Sequence, residues 1–479
     1  MFLKKPSRKE IPNIVLLVFG LQLVSCQSLG INPAANPSPQ PTLRPIKIAT
    51  ATPDTKATLS AEMQISPSAL SGTQITFWEP LTGNSGETMA QLVNEFNQTN
   101  PYGIFVTPTR FGSQGELASA IQSAEDLGQE FPTVISASMD QVNLWNFEVA
   151  PVVDLAPYIH QPGIGFTESE ITDFFPVFFN PDLTGVARLG IPAYRSGEVL
   201  FYNQTWAQEL GFLKPPSSLS EFKEQACAAA RVNAEDKKKA NDGTGGWFID
   251  TGWESAVSWL NSFGYNQFPV EVDATFSFST PSSEDAFGFI RELSDLGCAW
   301  TGRQINPFEY FSTRQALFYS GSLEDIISQQ KSNARLGSED NWIPILYPNQ
   351  SGQGGVLSDG LDYGIFAGDA KSQMAAWLFI KWMINSNQHA RLAAADTTFP
   401  MSYSEVAVLS ALGEQNPQWQ QALGFISQAK VAPQVQDWWI IRQILEDAFW
   451  KSLQPNVKPE DIPIILRELD ATIYEVLNQ

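Results

Sequence analysis

The chain has 479 residues, 43% of them hydrophobic, holds 14 tryptophans and carries a formal charge of −22. An acidic balance of that size argues against nucleic acid and against an anionic membrane surface, and mildly against an anionic ligand. With only His160, His389 and three cysteines, metal clusters built on His and Cys are not expected, and a Ser-His-Asp triad is disfavoured.

Residues 1–10 carry Lys4, Lys5, Arg8 and Lys9, and residues 11–24 are mostly apolar. A basic start before a short apolar run reads as a secretory signal over 1–25, because a spanning helix needs about 20 apolar residues. Leu23-Val24-Ser25-Cys26 resembles the lipobox of bacterial lipoproteins, which implies cleavage before Cys26, lipidation of its sulfur and a tether to the outer face of the cytoplasmic membrane. The plainer reading is an ordinary secretory signal with an incidental cysteine. Losing residues 1–25 removes four bases and one acid, leaving a charge of −25. Residues 26–72 contain seven prolines and no aromatic residue, so they read as a disordered linker. Fully extended, such a linker reaches roughly 140 Å.

The folded part is therefore expected over 73–479, large enough for two lobes. "ITFW" (75–78) reads as a strand. In the helix that follows, Met89, Leu92, Val93 and Phe96 share one face. "GIFVTPT" is a second strand, "GELASAIQSAEDLG" a second helix and "PTVISAS" a third strand, an alternation that means βαβ units and a mostly parallel sheet. After residue 190, "EVLFYN" is a strand, and Ser218 with Glu221 forms a capping box opening a helix. Helices are expected near 253–263, 284–296 and 308–319. "NWIPILYP" returns to strand, "SQMAAWLFIKWMINS" is an apolar helix, and helices near 415–430, 436–453 and 459–477 close the chain.

Three stretches carry a resemblance. "ITFWEPLTGNSGETMAQLVNEFNQTNP", "IPAYRSGEVLFYNQTWAQELGFLKPPSSLSEF" and "MAAWLFIKWM" are similar, in that order, to segments of family 1 extracellular solute-binding proteins, the maltose-binding class that serves ABC importers. The resemblance covers essentially all of 73–479. It implies an α/β fold of two lobes closing on a ligand about a multi-crossing hinge. Crossings would fall near 190–195, 340–345 and 399–403. Lobe 1 would be 73–191 plus 345–400, and lobe 2 would be 192–344 plus 401–479. It also implies a sugar ligand, an ABC permease as partner, a monomer, no cofactor and no catalysis. The same fold admits a binder of a polyol or a glycerol phosphodiester, or a sensor subunit presenting ligand to a receptor. A secreted glycoside hydrolase with paired carboxylates is the enzyme alternative; sequence cannot supply the carboxyl separation it needs.

Sugars present apolar C–H faces and a rim of hydroxyls, so their sites need flat aromatic rings and bidentate polar partners. In open parallel sheets ligands sit beyond the carboxyl ends of strands. That rule selects Trp78 and Glu79 after the first strand and Asp140 after the third. Arg195, just past the first crossing, either bonds ligand or holds a carboxylate across the hinge. Trp247, flanked by glycines, and Trp253, which shares a helical face with Val257 and Leu260, are alternative sugar platforms. Asp359 and Tyr363 lie in the glycine-bearing "LSDGLDYGIF", where a plain turn is the other reading. In "QDWWIIR" one tryptophan packs and the other is free to face a ligand; Trp438 is the expected contact. Cys227 and Cys298 form either a disulfide, plausible in an exported chain, or two small buried thiols.

Overall fold

The computed structural model describes residues 65–180, 187–268, 275–302, 307–352 and 354–478. The signal segment, Cys26 and the linker up to residue 64 lie outside the described residues. The folded chain begins slightly before residue 73: Pro67–Leu70 forms a 3-10 turn, and Leu70 is fully buried in the core.

The described strands are β1 Gln74–Glu79, β2 Phe105–Arg110, β3 Val134–Ala137, β4 Ile191–Asn203 and β5 Gly245–Phe248, followed by β6 Ala299–Trp300, β7 Ala316–Ser322, β8 Trp342–Ile345, β9 Val356–Ile365 and β10 Ala429–Val431. Their hydrogen-bonded order is β2-β1-β3-β9-β4-β7-β5-β6, with β10 on β9 and β8 on β4. At one end β1 runs parallel to β2 and β3; at the other β5 runs parallel to β6 and β7. The pairings between these ends, β3 with β9, β9 with β4 and β4 with β7, are antiparallel. Two parallel half-sheets are thus joined through β4 and β9.

β4 does this by changing neighbours. Ile191–Glu198 lies along β9, and Glu198–Asn203 lies along β7 and β8. All 13 of its residues are buried, so it lacks the alternation of a half-exposed strand. Only its second half is expected as strand, because Arg195, Ser196 and Gly197 interrupt the apolar run. "LSDGLDYGIF", read as a glycine-bearing turn or loop, is the strand β9. Gly360 lets it approach β4: a Cβ there would stand 1.8 Å from the Tyr194 carbonyl oxygen.

The expected crossing at 190–195 falls at the start of β4. The one expected at 340–345 falls on β8, which stays beside the far half of β4; the strand that travels back to β3 is β9. Near 399–403, the Phe399 N–H bonds the Arg195 carbonyl at 2.8 Å.

The first helix, Gly83–Thr99, buries Met89, Leu92, Val93 and Phe96, and the Ser218/Glu221 capping box opens the helix Leu219–Glu235. Two helices are corrected. The one expected over 308–319 ends at Ser312, where Arg314 takes a left-handed φ of 59°, and "ALFYSGS" is the central strand β7. Its apolar run is buried on both faces, which periodicity cannot separate from a buried helix. The one expected over 415–430 breaks into Pro417–Ala422, a 3-10 segment Leu423–Gln428 and the strand β10.

Ile75, Phe77, Phe96 and Trp377 pack together beside β1, while Phe222, Trp247, Trp259 and Trp438 pack beside β5. Cys227 and Cys298 form a disulfide, with Cα atoms 4.4 Å apart, that ties the helix Leu219–Glu235 to the chain entering β6. No helix among the described residues is long and apolar enough to cross a membrane.

Candidate ligand cleft

Strands of both half-sheets end around one cleft of about 360 Å³. From the first half-sheet come Pro80, Leu81 and Thr82, directly after β1. From the second come Ser322 and Glu324 at the end of β7, and Glu254 at the start of the helix after β5. β4 contributes Tyr194, Ser196 and Glu198, β9 contributes Asp359 and Leu361, and Asp396 completes the wall. This is where the carboxyl-end rule places a ligand. A larger cavity of about 760 Å³ is lined instead by Ser258, Asn261, Tyr347, Phe425 and Lys430. No residue of β1, β3, β5 or β7 lines it, and none of the expected site residues does.

The cleft is acidic. Glu198 is buried on β4, where the Tyr347 hydroxyl donates to its Oε1 at 2.7 Å; burial still holds its carboxyl well above the usual range. Burial, then the neighbouring Asp359, pushes Glu254 up to about 8. Asp359 is raised by its own burial against the pull of Arg442. Glu324 is open to the cleft, and the enclosing protein and Asp396 raise it as well. Just behind, burial pushes Asp325 up to about 7 and also raises Asp250.

The nearby cations are occupied. Arg195 bonds Asp362 at 2.9 Å and the Leu361 carbonyl at 2.7 Å. Arg110 meets Glu79 at 3.1 Å. Arg442 lies 3.8 Å from Asp140, its guanidinium 4.2 Å above the Trp439 ring and 5.2 Å from that of Trp253.

A family model described as bacterial extracellular solute-binding protein matches residues 91–424. The chain belongs to that family. Among curated relatives, the sn-glycerol-3-phosphate-binding periplasmic protein UgpB of Escherichia coli (strain K12) is 24% identical over 301 residues, 59% of this chain and 64% of the relative. The chain thus spans about 64% of the length of the curated relatives it matches. Among solved structures, the sugar-binding protein MalE from Xanthomonas citri superposes with a TM-score of 0.70 at 18% identity, covering 85% of this chain and 98% of that one. UgpB from Mycobacterium tuberculosis in complex with glycerophosphocholine gives 0.67 at 16% identity, covering 85% and 100%. These likenesses show the fold, the two-lobed α/β architecture of type II solute-binding proteins.

Within this solute-binding fold the expected residues separate into three groups. Asp359 lines the cleft. Four others lie behind the wall. Trp78 is half-buried against Phe111, and Glu79 is spent on Arg110 and the Leu81 N–H at 2.7 Å. Asp140 is buried beside Arg442, its carboxyl pushed up to about 6 by burial. Trp253 stands edge-on to Trp438. The remaining four are core, and their expected ligand contacts are corrected. Arg195 is the carboxylate-holding alternative. Trp247 is in no loop: it sits in β5, 0% exposed, between Trp259 and Phe222, its indole N–H on Ser320 at 3.1 Å. Tyr363 packs its ring against Phe77. Trp438 is the packed member of its pair, stacked on Phe276, and Trp439 is the one that carries a cation on its face.

Sequence reasoning missed Glu254, Glu324, Asp396, Ser196 and Arg442. Glu324 follows a strand end, but the enclosed β7 has the pattern of a buried helix and hides it. Glu254 was hidden beside the more conspicuous Trp253. Asp396 carries no local signal and is brought in only by the fold.

Proposed function

We propose that the protein captures a sugar or similar polyhydroxylated solute in the cleft between its two lobes and hands it to an ABC permease without chemistry. The observation that carries this reading is the convergence of strand ends from both half-sheets on one cleft lined by hydroxyls and carboxylates, Thr82, Tyr194, Ser196, Ser322, Glu324 and Asp359. Hydroxyls and carboxylates are the groups that satisfy a sugar's donors and acceptors. The tryptophan platforms expected from composition do not line the cleft; Tyr194 is the aromatic ring that does, among the described residues. A glycerol phosphodiester is disfavoured, because a phosphate would face the cleft's carboxylates.

Isothermal titration calorimetry of the full-length chain in mild detergent, against mono- and oligosaccharides, tests this. Saturating heat supports capture. Heat that continues after every injection would mean turnover and a hydrolase, and silence across the panel would reject the sugar reading.

The lipobox-like segment supports a chain anchored through Cys26 at the outer face of the membrane, close to its transporter. Metabolic labelling with a radioactive fatty acid should mark the wild type and not Cys26→Ser; equal labelling of both would sink the anchor.

A further inference from the structure

We infer that the solute carries a positive charge: a saccharide or polyol bearing a protonated amine, with the amine seated beside Glu324 and Asp396. This rests on the cleft being a polyhydroxyl site, and it adds the ligand's charge.

The first ground is charge balance. The cleft wall carries five carboxylates, Glu198, Glu254, Glu324, Asp359 and Asp396, and no lysine, arginine or histidine among its described residues. Nearby Arg195 and Arg110 are tied at 2.9 Å and 3.1 Å to carboxylates outside the wall. Arg442 stands by Asp140. Glu198 and Glu254, their carboxyls raised, keep protons at neutral pH. Glu324, Asp359 and Asp396 share a gap of low effective dielectric, where a ligand cation stabilises them as carboxylates and a neutral ligand does not. Burial is the main cause of the raised carboxyls of Glu254 and Asp359; Asp359 adds to the rise at Glu254, and Arg442 draws both down.

The second ground is an unmet hydrogen-bonding group. Ser196 is 8% exposed and lines the same cleft. Its hydroxyl lies near Glu324 but makes no hydrogen bond of good geometry in the structure. A buried hydroxyl whose neighbour, Glu324, is poorly placed to bond it is costly, and a ligand hydroxyl or ammonium placed beside both completes the pairing.

The third ground is the spread of the charge. Among the described residues no three carboxylates converge closely enough to hold a metal ion. The negative charge lines a ligand-sized space instead, interleaved with Thr82, Tyr194 and Ser322 hydroxyls. That alternation suits an organic cation with hydroxyls around it.

The test is calorimetry on the full-length chain in mild detergent at pH 7.5. The probes are glucosamine and its β-1,4 dimer, their N-acetylated counterparts, and glucose and cellobiose. The expected result is at least tenfold tighter binding of an amine form than of its acetylated counterpart. That preference should weaken with added salt and narrow severalfold in Glu324→Gln and Asp396→Asn. Binding of a neutral sugar as tightly as its amine form would overturn the inference and leave the sugar cleft standing. So would an amine preference unchanged in the Glu324→Gln/Asp396→Asn double variant. Silence from all six probes would reject the sugar reading of the cleft, and this inference with it.

Discussion

Glu254 shows how far one carboxyl can be moved by its surroundings. Burial at the mouth of a helix, with Asp359 and Asp250 close by and a backbone N–H and Arg442 offsetting them in part, pushes its carboxyl from 4.5 up to about 8. The folded protein therefore keeps a proton that the unfolded chain releases. Its contribution to stability is complete below about pH 4.5 and is lost as the pH climbs to about 8. The expected outcome is that the urea midpoint of the ligand-free protein falls between pH 5 and pH 8, and that Glu254→Gln flattens the fall. After allowing for screening by cleft water, the difference should be of order 1–3 kcal/mol. Equal slopes in the two proteins would show that Glu254 is ionised throughout. Two tryptophans make a matched pair at this scale. Trp247, fully enclosed, should cost about 3–5 kcal/mol on truncation to alanine, read by thermal unfolding. Trp78, half-buried, should cost less than half of that. Comparable losses would mean that Trp78 is as much core as Trp247.

Elements were legible where pattern and burial agree. The Gly83–Thr99 helix could be read because its four buried apolar residues repeat at helical spacing. β7 could not, because a strand enclosed on both faces has no spacing to read, and only the pairing with β4 and β5 makes it one. The site suffered from the same blindness: composition drew attention to tryptophans, and most of them turned out to fill the cores of the two halves. The residues that line the cleft are ordinary acids whose meaning comes from facing each other across a junction. The disulfide also belongs to this scale. Cys227 and Cys298 are 71 residues apart in sequence, so opening the bridge frees a long loop in the unfolded chain. Cys227→Ala with Cys298→Ala should lower stability by about 3–4 kcal/mol in chemical denaturation. Thiol counting on the denatured, unreduced protein should find neither of these two sulfurs; two free thiols there would refute the bridge.

At the scale of the molecule, the fold class could be read from a series of short motifs, whereas the hinge path could not. The resemblance located the entry into β4 but put the return at β8. The return is made by β9, whose aspartates and glycines disguise a strand that both half-sheets share. If the halves close on ligand about β4 and β9, small-angle scattering should show a smaller radius of gyration when a saturating sugar is added. An unchanged radius would mean that the cleft binds without closure.

That sharing has a consequence for taking the molecule apart. β9 lies later in the chain than every other strand of the first half-sheet, and it follows all of β5, β6 and β7. No single cut can therefore release one half whole. A nick in the turn before β9 would leave two fragments still laced together along the first half of β4 and along β3. The element about which the halves would close is also the one that prevents them from being parted.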